Sequence, residues 1–159
     1  MTNALLAIVA LALIGSCAAD EPVTNRPVLR HISTALGEIR LGERWGAPRS
    51  ESSEPTISLP SGAYPEAQST WITRDSDRTV IEIGFNYDQG TGFARKLQVF
   101  SGMMGPPDMH ERPIHPDSIE RAVWTDSLTR LELIKHPTRS VATLYARMTD
   151  LRYLGPRAE

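Results

Sequence analysis

The chain is poor in the features that mark most functional classes. It has one cysteine, Cys17, so no intramolecular disulfide is available to brace it. Only Lys96 and Lys135 are lysines, and 17 Lys+Arg stand against 19 Asp+Glu for a formal net charge of −2. That balance gives no support for nucleic-acid binding, which requires a basic patch to displace counterions from phosphates. Aromatic residues make up 6 %. No apolar run approaches the ~20 residues that a helix needs to span a bilayer. There is no G-x-S-x-G nucleophile turn, and Asn86-Tyr87-Asp88-Gln89-Gly90-Thr91-Gly92 lacks phosphate-cradling spacing and reads as a connection between a strand and a helix.

What is present begins at the first residue. Ala4 to Gly15 is apolar or small throughout, ~18 Å long as a helix, and no charged side chain precedes Asp20. The run suits the apolar core of a secretory signal, and Gly15, Ser16, Ala18 and Ala19 supply the small residues of a cleavage region. Ile14-Gly15-Ser16-Cys17 resembles the lipobox of bacterial lipoproteins. That resemblance implies a signal peptide over 1–16, acylation of the Cys17 thiol and cleavage before it. Cleavage after Ala18 or Ala19, giving a freely secreted chain, is the competing reading. Two or more acyl chains hold a protein firmly on a bilayer, whereas one binds marginally. By analogy with lipoprotein sorting in two-membrane bacteria, Ala18 after the cysteine implies the outer membrane, facing the periplasm.

Residues 17–26 are polar, contain Pro22 and read as a lipidated tether. Residues 27–159 form one α+β domain in this reading, a helix with an antiparallel sheet. Pro27 suits a first helical position, and Leu29, Ile32, Leu36 and Ile39 recur at the spacing of a buried helical stripe. Gly37 and Gly42 weaken such a helix, which leaves a strand through Ile39 and Leu41 as the alternative. Residues 49–68 read as a long loop. Phe93, Leu97, Phe100 and Met104 mark a second helix, with Thr91 as N-cap and Gly105 closing it. Val141 to Met148 reads as a strand with Ala142, Leu144, Ala146 and Met148 inward, and Leu151 to Leu154 as a short last strand.

The two halves carry a shared pattern. Gly46-Ala47-Pro48, a polar loop, Trp71 and Thr79-Val80-Ile81-Glu82-Ile83 parallel Gly105-Pro106-Pro107, a polar loop, Trp124 and Thr129-Arg130-Leu131-Glu132-Leu133. Asp75-Ser76-Asp77 and Asp126-Ser127 provide the turns of two hairpins. The alternation places Ile81, Ile83, Leu131 and Leu133 on one face, with Glu82 and Glu132 on the other. The expectation is two tandem helix–hairpin units, 27–88 and 89–155, with Trp71 and Trp124 in equivalent places.

Helix, G-x-P turn, loop, Trp and antiparallel strands on a lipidated tether resemble the BamE/SmpA-type outer-membrane assembly lipoproteins. A tandem pair is similar to the β-lactamase-inhibitor-like architecture. The residues that carry the likeness are Cys17, Gly46, Pro48, Trp71, Gly105, Pro107 and Trp124. It implies a non-catalytic protein-interaction module, without cofactor or metal, whose partners are the bilayer and another envelope protein. Trp45, Trp71 and Trp124 are its candidate partner-binding residues, against the ordinary use of Trp as packing over a sheet. A second class of function rests on 108–117, where His110, Glu111 and His115 lie among carboxylates and prolines. Convergence of those side chains would suit a hydrolase, while proline-broken spacing suits a plain polar loop. A third reading is an apolar-ligand carrier built on a concave sheet.

Overall fold

The computed structural model describes residues 27–46, 54–64, 67–88, 90–115, 117–137 and 143–154. The signal, lipobox and tether expectations fall outside those residues, as do Ala47, Pro48, Val141 and Ala142. Among the described residues, nine strands, one α-helix and a terminal 3-10 turn follow in order. They are β1 (His31–Thr34), β2 (Gly37–Arg40), β3 (Thr56–Ser58), β4 (Ser69–Arg74), β5 (Val80–Tyr87), α1 (Phe93–Met104), β6 (Met109–Glu111), β7 (Glu120–Thr125), β8 (Thr129–His136), β9 (Thr143–Asp150) and Leu151–Tyr153. The architecture is mainly β, which corrects the expected α+β arrangement of tandem helix–hairpin units.

The first expected helix is a hairpin. Ile32 and Ile39 pair directly across β1 and β2 and are both buried. Seven residues separate them, which is two helical turns and also the separation that this hairpin register produces, so the apolar spacing fits either structure. Local turn chemistry decides for the hairpin. Gly37 takes φ 105°, where a side chain would be strained. Thr34 Oγ1 donates to the Gly37 carbonyl at 2.7 Å and accepts from Leu36 N at 3.1 Å. Leu36, expected on the buried stripe, is exposed in the turn.

The larger sheet has seven strands in the order β3-β4-β5-β9-β8-β7-β6, all neighbours antiparallel. Its two hairpins form where the sequence places them. Asp75 Oδ1 accepts from Asp77 N and Thr79 N at 2.9 and 2.8 Å, and Asp126 Oδ1 accepts from Leu128 N and Thr129 N at 2.8 and 2.7 Å. These bonds close the chain between each pair of strands. Strand β9 joins the halves by inserting between β5 and β8. Within the expected loop, Thr56–Ser58 is an edge strand, and the expected last strand is the 3-10 turn, capped by Asp150 accepting from Arg152 N. Ile81 is half-buried beside a register shift, whereas Val80 is fully buried.

One face of this sheet is the core. Ile83, Met148, Leu131 and Trp124 make one row across four strands, and Phe85, Ala146, Leu133 and Ala122 the next. Fully burying such large apolar side chains stabilises by ~1.5–3 kcal/mol each. Ile32 and Ile39 join this core from the hairpin, and α1 supplies Phe93, Phe100 and Met104. Phe100 meets Trp124 edge to face at 5.8 Å. The α1 boundaries match the apolar spacing, although Gly92 rather than Thr91 occupies the N-cap and no side chain caps it. Gly105 ends the helix at φ 86°, its N–H bonded to Ser101 O at 2.8 Å.

Candidate functional site

Alternation along the strands sends the remaining side chains to the opposite face, where Trp71, Tyr145 and Arg147 are partly exposed while Glu132, Val123 and Ile134 are buried. Successive residues of β4 and β9 alternate between buried and partly exposed. Trp71, Gly84, Arg147, Glu132 and Val123 form a single row across β4, β5, β9, β8 and β7. At ~4.8 Å between strands the row extends ~19 Å. Glu82, Thr149 and Arg130 flank it on one side, and Asn86, Tyr145, Ile134 and Arg121 on the other.

Glu132 is the centre of the row. It is 2 % exposed and takes contacts from three guanidiniums. Arg130 reaches its Oε1 through Nε at 3.1 Å and Nη2 at 2.9 Å, Arg147 Nε donates to Oε2 at 2.6 Å, and Arg121 Nη2 closes on Oε1. Burial alone would push the Glu132 carboxyl up. The hydrogen bonds from Arg121 and Arg147, with the charges of Arg147 and Arg130, outweigh burial and hold its pKa at about 2. Arg147 responds in the opposite sense: burial lowers its pKa, but its bond to Glu132 and the Glu132 charge raise it further above the usual arginine range.

Trp71 forms the β4 end of the row. Its Nε1–H donates to Glu82 Oε1 at 3.1 Å, which fixes the ring direction. The six-membered ring covers Gly84 so closely that any Cβ at position 84 would overlap it. Absence of a side chain at Gly84 therefore lets the indole lie along the sheet with its other side half-exposed. On this face Arg121, Arg130 and Arg147 stand against Glu82, Glu111 and Glu132, with Glu111 opposite Arg121 across β6 and β7, so the formal charges balance. Beyond Arg147, the Tyr145 and His136 rings stack at 5.8 Å with 7° between planes.

The three tryptophans do not act together. Trp45 is 9 % exposed, with its carbonyl above Arg74 Nη1 at 3.5 Å, and it belongs to the core. Trp124 is 2 % exposed, and its Nε1–H donates to Gly105 O at 2.9 Å. Burial of both indoles leaves them little ring surface to offer a partner, whereas Trp71 is half-buried. Nor are Trp71 and Trp124 equivalent: each lies on the strand paired with its own T-x-Φ-E-Φ strand, but Trp71 opposes Gly84 on the open face and Trp124 opposes Leu131 on the core face.

The residues of the histidine loop diverge. His110 lies on β6 with its ring against Phe93 at 5.8 Å and its Nε2 3.6 Å from Glu120. Glu111 is exposed and, as the next residue of the strand, points to the other face. His115 sits in a turn where its N–H donates to Ser118 Oγ and its carbonyl accepts from the same hydroxyl. Among the described residues no three His, Cys, Asp or Glu side chains are grouped to hold a metal ion. The covered sheet face is packed with side chains rather than hollow. A cavity of about 450 Å³ between Arg44, Trp45 and the Ser76–Arg78 turn is open to solvent, as is one of about 370 Å³ beside Thr91, Arg95 and Val99.

No described helix is long and apolar enough to cross a membrane. The open-face cluster was missed by sequence reasoning because Arg121, Arg130, Glu132 and Arg147 come from three strands. Its one signal was the outward direction of Glu132 in T-x-Φ-E-Φ. No family model, curated protein or solved structure matches the chain.

Proposed function

We propose that the chain is an envelope lipoprotein, held on the outer membrane by acylated Cys17 and facing the periplasm, that acts as a non-catalytic protein-interaction module. The observation that carries the reading is the open sheet face, with its ordered row from Trp71 through Arg147 to Glu132. A solvated sheet face needs no such order. Tryptophan and arginine are the residues most enriched at binding hot spots. The partner is another envelope protein. The lipid anchor rests on Ile14-Gly15-Ser16-Cys17, and the tether 17–26 gives the domain reach from the bilayer.

Site-specific photocrosslinking in the intact host envelope tests this. A photoreactive residue at Tyr145, on the open face, should yield an adduct with one identifiable envelope protein. The same group at Met103, exposed on α1, should yield none. Equal adducts from both positions, or none from Tyr145, would contradict the reading.

A further inference from the structure

One end of the seven-stranded sheet carries the Asp75 and Asp126 turns, the last residues of β9 and the turn Leu151–Tyr153. Asp126 joins two features there. Its Oδ2 accepts at 2.7 Å from Val28 N, where the chain arrives from residues 17–26, and its Oδ1 accepts from Leu128 N at 2.8 Å. Leu151 N donates to Leu128 O at 2.9 Å, and Leu154 N to Leu151 O at 3.3 Å. Leu128, Tyr153 and Leu154 therefore lie beside the point of entry, 38 %, 42 % and 43 % exposed. Exposed apolar side chains that are grouped, unlike single ones, mark an interaction surface. The Arg152 guanidinium lies over the Tyr153 ring at 5.9 Å. A phenol beside a long cationic side chain suits a boundary that is apolar on one side and wet on the other.

The chain between Cys17 and this end is short. Residues 17–26 span at most ~36 Å even when fully extended. An eight-residue strand such as β8 is ~27 Å long, so returning to the far end of the sheet would use most of that length. Acyl chains on Cys17 would accordingly keep the Val28 end nearest the bilayer. We propose that this end docks on the phospholipid surface, with Leu128, Tyr153 and Leu154 seated among the headgroups and upper acyl chains. This rests on the lipid-anchor reading above and names the part of the domain that meets the membrane. An anchor raises the local concentration of the patch at the surface, so a contact too small to hold a free protein can orient a tethered one. Docked by that end, the domain runs its Trp71–Glu132 row parallel to the bilayer.

Charge attraction does not drive the contact. At this end Arg30, Arg44, Arg78 and Arg152 are outnumbered by Glu43, Asp75, Asp77, Asp108, Asp126 and Asp150. Anionic lipid is drawn by clusters of about 4–8 Lys/Arg. The matching surface is therefore a zwitterionic phospholipid, held by apolar contact.

The acylated protein, reconstituted into phosphatidylcholine vesicles, tests this. Cys17 is the only cysteine and acylation blocks its thiol, so the thiol introduced by Leu154→Cys takes a thiol-reactive fluorophore alone. Ile114→Cys is the control, because Ile114 is 86 % exposed between β6 and β7 at the far end of the sheet. Spin-labelled phosphatidylcholine should quench the fluorophore at position 154 at least about threefold more than at 114, as for side chains seated ~5–10 Å into the headgroup boundary. Leu128→Cys should behave as Leu154→Cys does, and added phosphatidylglycerol should not strengthen the quenching. Equal quenching at 154 and 114, none at 154, or quenching that appears only with phosphatidylglycerol would overturn the docking. With Cys17 acylated, such a failure leaves the anchor reading standing. Labelling of the unaltered chain would instead expose a free Cys17 thiol and remove the anchor together with the docking.

Discussion

Glu132 Oε2 accepts from Arg147 Nε at 2.6 Å across β8 and β9, and the pair holds one edge of the Arg147 guanidinium toward solvent. Glu132 is nearly inaccessible, so its charge depends on its three arginine partners. Removing a buried charge from such a set leaves the others uncompensated. Glu132→Gln should lower stability by about 2–3 kcal/mol, measured by urea unfolding at neutral pH.

The same carboxylate makes a pH signature. Its pKa falls from 4.5 in the unfolded chain to about 2 in the fold. A depressed carboxylate pKa adds stability that is fully present above the unfolded value and disappears as pH falls through the folded one. The loss from Glu132 should therefore run from pH 4.5 down to about 2. It should amount to about 2–3 kcal/mol once solvent screening of the exposed arginines is allowed for. Asp150, lowered by Arg152 and Arg30 against burial, acts in the same direction. Subtracting the acid unfolding curve of Glu132→Gln from that of the parent isolates the Glu132 share; superimposable curves would contradict it.

Gly84 sets the position of Trp71. In Gly84→Ala the added Cβ overlaps the indole, so the ring must leave the sheet. Emission should move to longer wavelength as Trp71 becomes more exposed, with a stability loss of about 1–2 kcal/mol. Unaltered emission would show that the ring does not rest there.

Asp150 fastens the N-terminal hairpin to the sheet end. Its side chain is wholly buried, accepts from Arg152 Nη2 at 2.6 Å and lies 3.5 Å from Arg30 Nη2 beside β1. Asp150→Asn should cost about 2–3 kcal/mol. Amide exchange at Ile32 and Ile39 should accelerate before exchange at Leu131 and Leu133 does.

Legibility in the sequence followed the range of the interactions. Helix α1 was readable because Phe93, Phe100 and Met104 repeat at helical spacing and Gly105 ends it locally. The hairpins around Asp75 and Asp126 were readable for the same reason, since each aspartate side chain closes its turn by accepting from backbone N–H groups within four residues. The first hairpin was misread because Ile32 and Ile39 satisfy two periodicities, and only Thr34 and Gly37 separate them. Trp71 and Trp124 share a pattern yet face opposite ways, because register rather than composition selects the face. The Arg121–Arg130–Arg147 set around Glu132 was not readable at all. It depends on β9 inserting between β5 and β8, a long-range choice that no local spacing announces.

Binding on this sheet face can be separated from binding elsewhere by paired arginine truncations. Arg147→Ala removes a half-exposed guanidinium from this sheet face, while Arg95→Ala removes an exposed charge from α1. Each is combined with the photoreactive group at Tyr145, and the yield of its envelope-protein adduct is measured in intact cells. The yield should fall about tenfold or more with Arg147→Ala and stay unchanged with Arg95→Ala. Equal yields in the two variants, with both folded, would contradict it.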